Sequence, residues 1–213
     1  LKKVIMKKYI ITCLLCLINI IVVFAQDSNK IINKTTRSTQ SLGRIWNKEI
    51  SFVKEKMDTF CIQVVNKVFT TVINTKFPYY DYEKDLLICD EEDYILDVLH
   101  LRISSILVDG DPYGYRGLVK KYIEPEVEYF STYEEGSGGS DIIFTCYYNL
   151  EGNLLGMYTW MHDIRIPIAA IDKFEKEMKK RSVAIFNKTP SGEKYKRVPY
   201  VKMMLSYTFG KSK

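Results

Sequence analysis

Between Asp141 and Phe209 two short apolar runs joined by a turn give way to a helical period of about 3.6, and the chain then closes on a strand that alternates with a period of two. Residues 141–149 and 154–161 read as the two strands, and Leu150-Glu151-Gly152-Asn153 between them is a tight turn. Pro167 opens a helix at a position where its missing N–H costs little. That helix is expected to run to about Arg181, with Ile168, Ile171, Phe174 and Met178 on one face. Asp172–Lys176, Glu175–Lys179 and Glu177–Arg181 are acid-first pairs four residues apart, assigned to its solvent side. Residues 182–186 and 200–209 read as strands. A hairpin with one apolar face, followed by a helix with one apolar stripe, must bury the two against each other, which makes this part of the chain α+β.

Upstream the pattern is less clean. Trp46, Ile50, Val53, Met57, Phe60, Val64, Val68 and Val72 are spaced by three or four, which predicts an amphipathic helix as far as about Cys61. Residues 62–74 are β-branched and read equally as helix or strand. After Pro78 the reading is a hairpin over 85–103 turning at Asp90-Glu91-Glu92-Asp93, then a turn at Asp109-Gly110-Asp111-Pro112. A short helix over 114–123 is stopped by Pro125, and a short strand follows over 127–131. The order strand, turn, strand, helix, strand thus occurs twice, and the distances from Asp85 to Val127 and from Asp141 to Val183 are equal. This suggests an internal duplication of residues 79–131 and 141–209. The expected fold is α+β: an N-terminal amphipathic helix, then two ββαβ-like units forming antiparallel sheet with helices packed on it, in a single domain over 43–213.

Residues 1–25 read as a secretory signal peptide: Lys2, Lys3, Lys7 and Lys8, then an apolar run over 10–24, then Val23 and Ala25 before Gln26. Cleavage is expected near Ala25–Gln26, with residues 26–42 a flexible polar tether and the product in the periplasm or at the cell surface. The leader holds four lysines and no acids, so the remaining 188 residues carry 27 basic against 26 acidic residues. A near-neutral product gives no electrostatic reason to bind nucleic acid, and a membrane-spanning mature domain is not expected either. Three cysteines remain, Cys61, Cys89 and Cys146; their wide spacing is not that of a disulfide scaffold, and any pairing between two of them stays open.

The chemistry-bearing residues form no catalytic or metal motif. Asp109-Gly110-Asp111-Pro112-Tyr113-Gly114 begins like a calcium loop, but its twelfth position is Lys120 where a bidentate Glu belongs, so it reads as a turn. His100, in the apolar run Val98-Leu99-His100-Leu101, reads as a strand residue. His162-Asp163 could orient an imidazole, yet no nucleophile can be placed beside it. Gly136, Gly138 and Gly139 lack the Lys-Ser/Thr of a phosphate loop. No cofactor is implied. The chain is rich in tyrosine, with 16 in all. Tyr79, Tyr80, Tyr82, Tyr113 and Tyr115 are the candidate ligand-binding residues, because amphipathic rings on loops offer flat apolar area with a polar tip.

The hairpin DIIFTCYYNLEGNLLGMYTW, the helix IDKFEKEMKKR and the strand YVKMMLSYTF resemble the carboxy-terminal domain of TonB proteins in topology, over about the last third of the chain. The long Pro-rich spacer of TonB is missing, so the resemblance implies topology and not transducer function. The leader ending Val-Phe-Ala, the turn Glu151-Gly152-Asn153 and Ile166-Pro167-Ile168 resemble small exported proteins of Bacteroides-type bacteria to which no activity is attached. Together these readings favour a non-enzymatic binding or interaction protein whose partner is an envelope protein or a glycan. The alternatives are an enzyme with a pocket near His162, and a TonB-like or outer-membrane envelope component.

Overall fold

The computed structural model describes residues 30–41, 44–67, 69–78, 80–81, 86–87, 99–129 and 141–209, with side chains for 48–67, 69–78, 99–129 and 141–209. The segment expected to be a signal peptide, Tyr79, Tyr82, Cys89 and residues 136–139 lie outside the described residues, and so does the side chain of Tyr80.

The first part of the chain is a meander of β1 (Lys30–Ser41), β2 (Arg44–Glu55), β3 (Asp58–Val65) and β4 (Phe69–Asn74). The expected N-terminal helix is therefore two strands, β2 and β3, turning at Lys56 and Met57, and residues 62–74 are strand as well. The misreading has a physical cause. A strand buried on one face spaces its apolar residues by two, but this meander buries both faces: Ile50, Cys61 and Ile73 on one, Val53, Phe60 and Val72 on the other. Sampling two faces produces gaps of three that imitate a helix. Lys30–Ser41, most of the segment expected to be a tether, pairs with β2 from Lys30↔Lys54 to Ser41↔Arg44.

The second part follows the expectation closely. β9 (Ile142–Tyr148) and β10 (Leu154–His162) form the hairpin, α2 (Ile168–Arg181) follows Pro167, and β12 (Ser182–Phe186) and β13 (Val201–Tyr207) close the chain. One antiparallel sheet unites the two parts in the order β1-β2-β3-β4-β10-β9-β13. Between them in sequence come β5 (Tyr80–Asp81) pairing with β6 (Leu86–Leu87), then β7 (Ile103–Val108), α1 (Gly114–Tyr122), β8 (Glu128–Tyr129) and β11 (Ile164–Arg165). β7 does not join the main sheet; it pairs with β12, and β8 with β11. His100 lies in a turn with φ +50, exposed, rather than in a strand. Of the second expected ββαβ unit the hairpin β9–β10 and the helix α2 form, but its closing strand β12 pairs with β7 instead of joining the hairpin's sheet, and β13 takes the place beside β9. Residues 88–98 of the first hairpin lie outside the described residues.

Pairing aligns side chains into rows across the helix-facing side of the sheet. One row runs Ser51, Ile62, Val72, Thr159, Phe144, Leu205, and the next Val64, Thr70, Met161, Ile142, Tyr207. α2 lies over the β9–β10 end of these rows, where the Phe174 and Phe144 ring centroids are 4.5 Å apart and Ile171, Met178, Met157 and Met161 complete the core. α1 packs beside α2 and is held to the sheet by the Tyr115 hydroxyl, which donates to the Ser206 carbonyl at 3.1 Å. On the other side of the sheet Phe77, Tyr147 and Tyr200 pack together, and Gly156 makes room for them: a Cβ there would stand 2.7 Å from the Phe77 ring.

Gly152 in the β9–β10 turn is constrained twice. Its φ is +86, and a Cβ would come within 2.7 Å of the Ala184 carbonyl, while the Ala184 N–H donates to the Gly152 carbonyl at 3.0 Å. Gly152→Ala is expected to cost about 2 kcal/mol in urea unfolding, from strain plus the displaced β12 contact. Gly110→Ala, at φ +84 but facing open space, should cost about 1 kcal/mol from backbone conformation alone. Equal losses at the two positions would count against the Gly152–Ala184 contact.

Candidate functional site

α2 is too narrow to cover the whole sheet. Beyond its edge the part of the β2–β4 face that carries Ser51, Ile62, Val64 and Thr70 is only half-buried, and together with the buried Val53 and Val72 it floors a cleft of about 610 Å³. Val53, Ile62, Val64, Val72 and Met161 give the floor its apolar character, with Ser51 and Thr70 among them. The opposite wall is the segment Arg165-Ile166-Pro167-Ile168, where β11 leads into α2. Three charged residues complete the lining: Lys67 from the β3–β4 connection, Arg165, and Glu128 of β8. The size falls within the roughly 300–1,000 Å³ of small-molecule sites, and so does the composition, mostly apolar with a few polar groups.

Among the described residues the lining contains no histidine, cysteine, aspartate or tyrosine. His162 neighbours Met161 in sequence but points through the other side of the sheet, because successive strand residues alternate. There its ring stacks on Phe69 at 4.8 Å and Trp160 at 5.9 Å, and its Nε2 lies 3.3 Å from Asp163. Tyr113 and Tyr115 are not brought to the cleft. Tyr113 is exposed beside the Arg116 guanidinium, 5.4 Å from the ring centre, and Tyr115 is packed into the core. The Asp109–Asp111 segment is a turn whose carboxylates already have protein partners: Asp109 accepts from Arg181 Nε at 2.9 Å, and Asp111 from the Tyr113 N–H at 2.8 Å. Among the described residues no group of three or more His, Cys, Asp or Glu is arranged to hold a metal ion.

Cys61 and Cys146 are both buried. They sit on opposite faces and three strand spacings apart, about 14 Å, so they cannot pair with each other. Burial and the nearby Glu175 push the Cys146 thiol far above its ordinary pKa, which leaves it inert.

Outside the cleft lining, an ion network joins the β2–β3 turn to α2. Asp58, 5% exposed at the start of β3, accepts from Lys76 at 2.6 Å and from Lys176 of α2 at 3.0 Å, and Lys176 also reaches Asp172 at 2.7 Å. This ties the β2–β3 turn to the helix. The three acid-first pairs of α2 all form, at 2.7, 2.7 and 3.4 Å. Asp172 and Glu175 are not on the solvent side, however; both are 3% exposed and face the sheet, while only their lysine partners reach water. A lysine's length allows this: its stem bridges a buried carboxylate and a wet ammonium.

The two kinds of carboxylate titrate in opposite senses. The Lys76 hydrogen bond, with help from Lys176, holds Asp58 below its ordinary value of 3.8. The stability it lends is therefore present above that value and is lost as pH falls through the folded pKa. Asp58→Asn should cost about 1–2 kcal/mol at neutral pH, discounted for the exposed lysine ends, and nothing in strong acid. Burial raises Glu175 above 4.5, against the pull of Lys179 and with the repulsion of Asp172 and Asp58. Its ionised form is a penalty above the folded pKa that disappears below 4.5, so Glu175→Gln should stabilise by about 1 kcal/mol at neutral pH and be neutral in acid. Urea unfolding of both variants across pH measures each; the same sign for both at neutral pH would contradict the assignment.

No family model matches the chain, and no curated protein matches it. The TonB-like resemblance thus has no matching family model behind it. Among solved structures the chain is similar to a DUF5043 family protein from Bacteroides uniformis, with 12% identity over 74% of this chain and 89% of that one, at a TM-score of 0.37.

Proposed function

We propose that this protein is a non-enzymatic binding module of the periplasm or cell surface, and that its ligand is a small molecule with an apolar body held in the cleft between β2–β4 and Ile166-Pro167-Ile168. The observation that carries this reading is the floor. Ile62 and Val64 are half-buried aliphatics in the middle of a sheet face, lining an unfilled cleft of about 610 Å³. Leaving such surface wet forgoes about 25 cal/mol per Å² of apolar burial, so a ligand that covers it is favoured by the same amount. The volume suits a small molecule better than the envelope protein or glycan expected from sequence. No described helix is long and apolar enough to cross a membrane. Export rests on the leader read from the sequence.

The test uses a neutral apolar fluorophore, N-phenylnaphthylamine, with the purified full chain. Saturable one-to-one binding is expected in the wild type. Val64→Trp, which fills the floor from a half-exposed position, should weaken binding at least about tenfold while thermal unfolding stays within a few degrees. Absence of saturable binding to the wild type would refute the reading, as would a Val64→Trp variant that binds normally.

A further inference from the structure

The apolar floor says only that a ligand has an apolar body. The rim is more specific. Lys67 and Arg165 are both exposed at the edge of the cleft, and among the described residues neither has an ion-pair partner. Arg165 is directly opposite Glu128 in the β8–β11 ribbon, yet the two form no ion pair. Lys67 is held at the rim by a left-handed backbone, with φ +61 following Asn66 at +52. Such a conformation is unfavourable for lysine and fixes where its side chain departs.

The third contribution is the start of α2. Ile166, Pro167 and Ile168 line the cleft, so the helix begins at its wall. No side chain caps that helix, and no acid lies in its first turn. The partial positive charge of its N-terminus is thus uncompensated at the place where Arg165 also stands. Against two cations and this helix end the lining offers one carboxylate, Glu128.

Building on the reading above, we infer that the ligand is a single-chain amphiphile with an anionic head, of the free fatty-acid type. The carboxylate sits between Lys67, Arg165 and the first turn of α2, and the chain lies along Val53, Ile62, Val64 and Val72. One chain suits the volume, and the cleft's open rim leaves the head partly in water. The electrostatic preference is accordingly modest and salt-sensitive, about fivefold or somewhat more at low ionic strength.

The experiment displaces the neutral fluorophore with three ligands that share one twelve-carbon chain and differ in the head: laurate, dodecanol and dodecyltrimethylammonium. Laurate is expected to bind about fivefold or more tightly than dodecanol in low salt, with the cation weakest. Lys67→Gln combined with Arg165→Gln, both exposed positions, should bring the laurate-to-dodecanol affinity ratio to about one, and Glu128→Gln should raise that ratio. Decanoate should bind several-fold more weakly than laurate per methylene removed. If dodecanol equals laurate, or the cation is preferred, the anionic head is refuted while the cleft reading stands, since all three still displace the dye. If none displaces it, this inference falls, and dye binding abolished by Val64→Trp still upholds the cleft. Co-sedimentation of the protein with phosphatidylglycerol vesicles, and no laurate binding, would assign the rim to a membrane headgroup and overturn the free-ligand form.

Discussion

The seating of α2 on the sheet governs everything else in this molecule. Phe174 on Phe144, with Ile171 and Met178 against Met157 and Met161, fixes the helix over the β9–β10 end of the rows. Lys176, held by Asp58 and Asp172 together, fixes its far end against the β2–β3 turn. Dispersion and apolar burial supply most of the energy, and the ion network sets the angle, because a buried carboxylate leaves few geometries in which it is satisfied. A helix anchored at those two places shares a core with Val53, Phe60 and Val72 but leaves Ser51, Ile62, Val64 and Thr70 of β2–β4 half-covered. The cleft is what remains, and its depth and length follow from the anchoring.

Charge is distributed unevenly along the same helix. Glu55, Asp58, Asp172 and Glu175 are all buried in or near the ion network, and the lysines Lys76, Lys176 and Lys179 answer three of them from the surface. At the cleft Lys67 and Arg165 face one carboxylate. A near-neutral composition therefore hides a local polarity that counting residues cannot show. Net charge alone could not reveal a preference confined to one rim.

The second half of the fold was legible in the sequence because its physics is local. Residues 141–149 and 154–161 are short apolar runs on either side of a turn, Gly152 supplies the positive φ of that turn, and Pro167 marks the start of a helix whose stripe is Ile168, Ile171, Phe174 and Met178. The first half was not legible because both faces of β2–β4 are buried, which removes the alternation that announces a strand. The helix's polar face misled in a subtler way. Asp172 and Glu175 look like solvent-side partners of Lys176 and Lys179, and only the tertiary packing shows that the acids turn inward. The cleft was invisible for a simpler reason: its lining comes from β2, β3, β4, β8, β10, β11 and the start of α2, and no short stretch of sequence contains enough of it to be recognised. Tyrosine richness drew attention instead, and Tyr115 turned out to be packing and a hydrogen bond to Ser206.

The pairing of β4 with β10 joins Ile73 to Tyr158, residues more than eighty positions apart, whereas β1 to β4 are linked by turns of two or three residues. Hairpins of that kind close in about 1–10 μs, while a contact so distant in sequence must first overcome the entropy of a long loop. The meander is thus the quick half of the molecule and the β4–β10 seam the slow one. The cleft straddles that seam, with its floor on the early side and its Arg165–Ile168 wall on the late side. An occupant has nothing to hold until the seam has closed, and afterwards it bridges both sides. It would act on the lifetime of the folded state by retarding separation, and leave the rate of folding untouched.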